Sequence, residues 1–421
     1  MGIKSLNPFI REKCPQAFRD LPYSYFYGKR VAVDANNVLM KLMSRSHKEI
    51  VNQTDVCSKE PDRKAIVERW LHHLREEVIK FVRYGITLIF VFDGAYIDEK
   101  SETQKKRRDD KIKRISDAES LKTQVLELDE LERTPAMVTE LRKKMHHLGT
   151  ITSEDKELAI DILQKMGFPV LFAVEEGEKL CAMLCIEGRV DAVYSRDTDI
   201  VAMGCPLSFS EEAGWVYNSN TQKTELSLKC TFFKPILAAL EIEYPTFLDL
   251  CIMSGCDFNS NIYRLGINTA YKLLKNCKSI EALPEKYQDK IEILNHIRCR
   301  EIFSRQYSKD ICNFEISLNM DLNSIKQNES DPLLEDWITD LKPLYSNFPI
   351  PSDMFIEKTP SLSSSIVRLK ILNKNSEPEQ TDLLPTSKAS PKKLTRNMIS
   401  SLSAQQISNY KNKLQIKILD V

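Results

Sequence analysis

Seven carboxylates in this chain stand where they could do chemistry together: Asp34, Asp93, Glu176, Glu178, Asp197, Asp199 and Asp257. Glu176 and Glu178 flank Gly177, and Asp197 and Asp199 flank Thr198, so each pair can converge on one cation or bridge two. Gathered in a fold, so many acids repel one another and raise each other's pKa, which makes a site built from them dependent on metal. Magnesium suits such a site because it takes a few carboxylates and keeps several waters. Two ions roughly 4 Å apart can activate a water and stabilise a leaving oxygen, which is what hydrolysis of a phosphodiester needs. Taken singly, each acid reads equally well as a helix N-cap or a solvated loop residue. Spacing alone leaves a magnesium nuclease, a phosphatase and another metal-dependent hydrolase open.

The elements that must position these acids are short apolar runs, each ending in one. Arg30–Val33 leads into Asp34, Ile86–Phe92 into Asp93, Pro169–Val174 into Glu175, Glu176 and Glu178, and Val190–Tyr194 into Asp197 and Asp199. Such runs read as strands buried on both faces of a parallel sheet. Helical patterns over Ala65–Tyr84 and Ser153–Met166 alternate with them, predicting an α/β fold, and Gly85 and Gly167 mark where those helices stop. In open α/β sheets ligands bind beyond the carboxyl ends of the strands, where all these acids emerge.

Between the strands, residues 98–147 form a highly charged insertion with a single proline, Pro135, and read as two helices. Past Phe232 the pattern is mainly helical, through Leu248–Met253, Asn268–Lys275 and Pro284–Tyr307. Thr359–Ser365 and Asn373–Lys393 read as linkers, and Leu414–Leu419 as a short strand or docking peptide. The division expected is a nuclease core over 1–97 and 151–330, an insertion over 98–150 and a C-terminal extension over 331–421.

With 421 residues, 42% of them hydrophobic and 29% charged, the chain is large enough for a sizeable core plus an appendage. No stretch is apolar enough to span a bilayer, and the charged start is no secretory signal, so a cytosolic or nuclear setting and no membrane partner are expected. Leu6 stands where a myristoylation signal after Gly2 would need Ser or Thr. The eleven cysteines form no CxxC pair and read as reduced structural thiols. Sixty basic and sixty acidic residues cancel, so a nucleic-acid surface must come from local segregation of charge.

Six ordered blocks carry a family resemblance: MGIKSL at the start, VDANN at Asp34, FVFDG at Asp93, EEGEKLCA at Glu176, SRDTD at Asp197 and SGCDF at Asp257. Over about residues 1–283 the chain resembles the flap endonuclease/XPG family. The long insertion, the SGCDFNSN wording and the tail resemble the versions carried by large DNA viruses such as iridoviruses.

The resemblance implies a PIN-like α/β core flanked by helices, a helical arch at 98–150, and a helix-hairpin-helix element at about 255–275. It implies a structure-specific DNA endonuclease of flap type, acting also as a 5′ exonuclease, in replication, recombination or repair. The cofactor implied is a pair of Mg2+ ions, with Mn2+ able to substitute: Asp34, Asp93, Glu176 and Glu178 would lean to one ion, and Asp197, Asp199 and Asp257 to the other. Lys100 and Arg107 match arch residues facing the scissile phosphate, and their spacing puts them on one helix face. Lys105, Lys106, Arg108 and Lys111 would attract the strand, against the plainer reading of a solvated helix face. Gly266, Asn268, Thr269 and Lys272 would meet duplex phosphate at a helix N-terminus. Arg264 replaces a glycine common in the family, and Asn268 and Thr269 replace Pro and Lys, which counts against the potassium site relatives have there. Gly2, Lys4 and Phe9 belong to the segment that packs beside the junction, Phe9 being equally a core residue. The expected partner is DNA with a flap, nick, gap or junction, met by a monomer in the nucleus, or at a cytoplasmic replication site for a virus-borne version. No sliding-clamp peptide follows Gln380, Gln405 or Gln406. A catalytically weak DNA-binding scaffold and a PIN-core exoribonuclease are the alternatives.

Overall fold

A computed structural model describes residues 2–95, 98–218 and 222–304. These lie in the first of two compact units, Met1–Leu372. The second, Asn373–Val421, falls outside the described residues, as do the expected linkers and terminal strand.

The chain enters through α1 (Leu6–Lys13) and β1 (Phe18–Pro22), and the first acid-terminated run becomes β2 (Arg30–Asp34). Asp34 ends that strand and caps α2 (Ala35–Gln53), its carboxylate accepting from the Asn37 amide at 3.2 Å. Next, α3 (Arg63–Arg83) leads to β3 (Thr87–Phe92) through Gly85, whose φ of 68° a residue with a side chain rarely adopts.

The insertion is the predicted helix pair: α4 (Ser101–Glu127), then α5 (Pro135–Met145), which Thr134 caps and Pro135 begins. A capping box of Thr152 and Asp155 starts α6 (Ser153–Lys165), which Gly167 (φ 79°) separates from β4 (Val170–Phe172). There follow α7 (Gly177–Ile186), β5 (Ala192–Tyr194) and the single turn α8 (Asp199–Ala202). A long ribbon, β6 (Leu207–Asn218) and β7 (Lys223–Phe232), precedes α9 (Phe233–Leu240), α10 (Tyr244–Ser254) and α11 (Ile267–Cys277). The described chain ends with α12 (Glu285–Gln288) and α13 (His296–Phe303).

The sheet order is β1-β7-β6-β5-β2-β3-β4. From β6 across to β4 every pairing is parallel, whereas β7 runs antiparallel to both β6 and β1. The expected parallel sheet is therefore one side of a mixed one, running from β6 to the edge strand β4. The ribbon escaped the sequence reading because register irregularities at Phe209/Glu212 and Glu212/Gly214 break its alternation. The helix expected over Pro284–Tyr307 is also interrupted, by a 3₁₀ turn at Ile291–Leu294 and by Asn295 at φ 44°.

Alternate residues of β2 and β3 feed two cores. Val31, Val33, Leu88 and Phe90 pack with α2, α3 and α6 on one face, while Ala32, Ile89 and Val91 pack with α1, α7 and α10 on the other. A smaller cluster seats the arch: Leu141 and Met145 of α5, with Leu121 of α4, pack against Val51 of α2 and Val56 just after it. Of the seven acids, Asp34 ends β2, the middle one of the five parallel strands, Asp93 follows β3, Glu176 and Glu178 follow β4, and Asp197 and Asp199 follow β5, so these six leave one edge of the parallel core.

Candidate active site

Each acid is held by a local device. Asp34 is 1% exposed, and its second oxygen accepts from the Ser195 hydroxyl at 2.7 Å. Asp93 accepts from the Gly177 amide at 2.9 Å, at the start of α7, and from the Asn36 side chain. A Cβ at residue 177 would lie 2.8 Å from that Asp93 oxygen, so the glycine in EEGEK is what lets the carboxylate reach the helix end. Glu176 stands at the N-cap position of α7 without a side-chain capping bond, and Glu178 in its first turn, where the helix dipole favours negative charge. The Asp199 amide donates to Asp197 at 3.1 Å, folding the SRDTD loop onto itself.

Asp257, in the turn after α10, joins them. The acids lie near enough for their charges to act on one another: Asp257 adds to the shifts of Asp197 and Asp199, and Asp93 to those of Asp34 and Glu178. Burial raises the Asp34 pKa, with Asp93 and Asp197 adding to it against hydrogen bonds from Ser195 and Asn37. Glu178 is raised by burial and then by Asp34 and Asp93. Asp197 is raised by burial, with Asp257 contributing, and Asp199 is driven well up by burial followed by Asp197. Without counter-ions this pocket favours protonated acids.

The arch supplies two cations. Lys100 Nζ pairs with Glu176, and Arg107 Nη2 lies 2.5 Å from the Asp257 carboxylate. The first pair is lopsided. Burial opposes the Lys100 charge, yet Glu176, Glu178 and Asp199 together raise its pKa; Glu176 is itself raised, because burial with Asp93 and Asp257 outweighs the help Lys100 gives. Seven acids facing two cations leave an excess of negative charge.

The donor set fits hard divalent cations. Among the described residues no three His, Cys, Asp or Glu side chains stand close enough together to hold a metal ion by themselves. Magnesium binds through one or two carboxylates and retained waters, so an open acid-lined pocket suits it better than a closed cage. Asp199 Oδ1 is buried with no hydrogen-bond partner, a costly state for a carboxylate oxygen that a cation would relieve. Space beside it is kept by Gly2: a Cβ there would fall 2.1 Å from Asp197 Oδ1 and 2.8 Å from Asp199 Oδ1.

Other expected residues lie apart from the acids. Lys105, Lys106, Arg108 and Lys111 are exposed along α4, and Gly266, Asn268, Thr269 and Lys272 are exposed at the start of α11. Gly266 caps that helix, and no side chain bonds to its first amides. The helices α10 and α11 and their connection are present, with Arg264 at φ 61°, a conformation suited to the glycine it replaces. Lys4 donates to Asn261 at 3.2 Å, while Phe9 is core, edge-on to Tyr271. The described cysteines are free thiols.

Several contributors went unread in the sequence. Asn36 and Ser195 lie inside VDANN and SRDTD, but nothing in those motifs says that their side chains hold Asp93 and Asp34. Thr103, which donates to the Asp257 carbonyl at 2.9 Å, and Phe258, whose ring centre lies 5.2 Å from Lys100 Nζ, leave no sequence signal.

Comparison with known proteins identifies relatives of the chain. The XPG N-terminal domain matches residues 1–114 and the XPG I-region residues 167–257. A Paramecium tetraurelia protein, flap endonuclease 1-2, is 33% identical over 289 residues, covering 68% of each chain. Flap endonuclease 1 of Komagataella phaffii is 29% identical, covering 69% of this chain and 71% of its own. A probable RAD2-like endonuclease, 369L of Invertebrate iridescent virus 6, is 28% identical over 352 residues, covering 74% of this chain and 81% of its own.

Proposed function

The chain belongs to the flap endonuclease/XPG family of structure-specific DNA nucleases, and from that premise we propose that it cuts DNA at single-strand/duplex junctions with two magnesium ions held by its seven acids. The observation that carries the reading is the pocket itself, where acids from four strand ends and the turn after α10 meet two arch cations around a buried, unpartnered carboxylate oxygen. When bound, the ions supply an activated water and counter-charge for the leaving oxygen.

The chain's own residues do the rest. Asp34, Asp93, Glu176 and Glu178 hold one side of the pocket, and Asp197, Asp199 and Asp257 the other. Lys100 and Arg107, now paired with Glu176 and Asp257, turn to the scissile phosphate and stabilise its developing charge. The exposed row Lys105, Lys106, Arg108 and Lys111 draws in the single strand, and the amides at the start of α11, with Lys272, receive a duplex phosphate. The substrate class is DNA with a flap, nick, gap or junction, cut in replication, recombination or repair, by a monomer in the nucleus or another replication compartment.

Replacing Asp197 with Asn and assaying a 5′-flap duplex in magnesium tests this. Cleavage should be lost while the fold and DNA binding persist, and unchanged cleavage would remove the central mechanism. RNA and DNA flaps compared side by side should show preference for DNA.

A further inference from the structure

Lys100 precedes α4, and that helix has no side-chain cap at its start. Two contacts from distant parts of the chain fix its approach to the acids. Thr103 donates to the Asp257 carbonyl, as described above. The second involves Glu99, next to Lys100, whose carboxylate accepts from Arg298 Nε at 2.5 Å.

Arg298 sits on α13, a helix tied to α10 and to the turn that carries Asp257. Arg300, on the same helix, makes a two-pronged bond to the buried Asp249 of α10 at 2.7 and 2.6 Å. Phe303 packs edge-on against Phe258 at 5.4 Å between ring centres, and Cys299 Sγ lies 3.9 Å from Cys256 Sγ. Cys256 and Phe258 flank Asp257, so α13 seats one of the seven acids and, through Arg298, also holds the residue beside the arch cation that faces them.

We propose that Arg298 is a positioning residue for cleavage: its pair with Glu99 fixes the base of the arch so that Lys100 Nζ remains in the acid pocket. This rests on the reading of Lys100 given above. The Lys100–Glu176 pair occupies a carboxylate that the site needs for its cation. The Glu99–Arg298 pair uses none of the seven acids and holds the arch base without competing for them. Its side chains are 22% and 43% exposed, so the bond adds little to global stability. Its effect is on where Lys100 stands.

The test uses the full chain with Arg298→Glu, Glu99→Arg and the double exchange, on a 5′-flap duplex in magnesium. Single-turnover rate at saturating enzyme, half-saturating concentration, melting temperature and hydrogen exchange over 98–107 are measured. Each single variant should lose about tenfold in rate, since small misplacements of a reacting group are costly. Half-saturation and melting temperature should hold, and exchange at the arch base should quicken. The double exchange should restore both rate and protection. Wild-type rates in the single variants, or no recovery in the double, would overturn the proposal. If the wild type itself fails to cut, the reading of the site fails instead, and exchange over 98–107 that is unchanged in Arg298→Glu still refutes the clamp.

Discussion

Asp34 ends a strand, caps a helix and accepts a hydroxyl, and each role fixes its carboxylate more tightly. Groups that orient a ligating residue from behind typically cost 10–100-fold in metal affinity or activity when removed. Ser195→Ala and Asn36→Ala should each lose roughly that much, seen as a higher magnesium requirement in cleavage. Repulsion among the acids leads to a second expectation. Glu178→Gln should abolish cleavage yet leave the metal-free protein equally or more thermostable, because burial and its acidic neighbours already oppose charge at that position and the amide carries none. A clear fall in the melting temperature of the metal-free variant would contradict the repulsion. At this scale six of the acids were legible because they follow apolar runs that read as strands, whereas Asp257, in the turn after a helix, came only with the family resemblance. Ser195, Asn36 and Arg298 were not, because a hydroxyl, an amide or a guanidinium acquires its role only from the partner that folding brings to it.

Among the elements, the long helix α4 of the insertion is little buried, covering only Ala118 and Val125. The insertion's two helices were readable from charge and the lone Pro135, and the acid-bearing strands from their apolar runs. The β6–β7 ribbon was hidden by its bulges, and the break before α13 depends on Asn295 adopting a left-handed conformation that no periodicity announces. Removing one preorganised donor to transition-state charge commonly costs about 100- to 1,000-fold. Lys100→Ala and Arg107→Ala should therefore lower the single-turnover rate by about that factor while flap DNA binding changes little. Near-normal rates would return these cations to a solvated helix face. The foot of the arch gives a separate expectation. Leu141 is fully buried in its small cluster, so Leu141→Ala should speed hydrogen exchange across α5 far more than across β2 or β3.

For the whole molecule, a net charge of zero means that affinity for DNA comes from where its cations sit. Replacing Lys105, Lys106, Arg108 and Lys111 with Ala should weaken flap binding across sequences and flatten its salt dependence by about one phosphate contact for each residue that touches the strand. Stability responds to pH through another part of the molecule. The Arg300 guanidinium holds the Glu281 carboxyl down to about 2, so this pair stabilises the fold above the ordinary glutamate range and loses that contribution as pH falls toward 2. The melting temperature of Glu281→Gln should lie below wild type at neutral pH and converge with it on acidification, by a small amount because Glu281 is half exposed. The central claim, that the acids form one pocket for divalent cations, is tested most directly by titrating manganese into the metal-free protein and following free Mn2+ by electron paramagnetic resonance. Wild type should take up manganese that magnesium displaces, and Asp199→Asn should lose that uptake. Equal uptake by the two proteins would contradict the account.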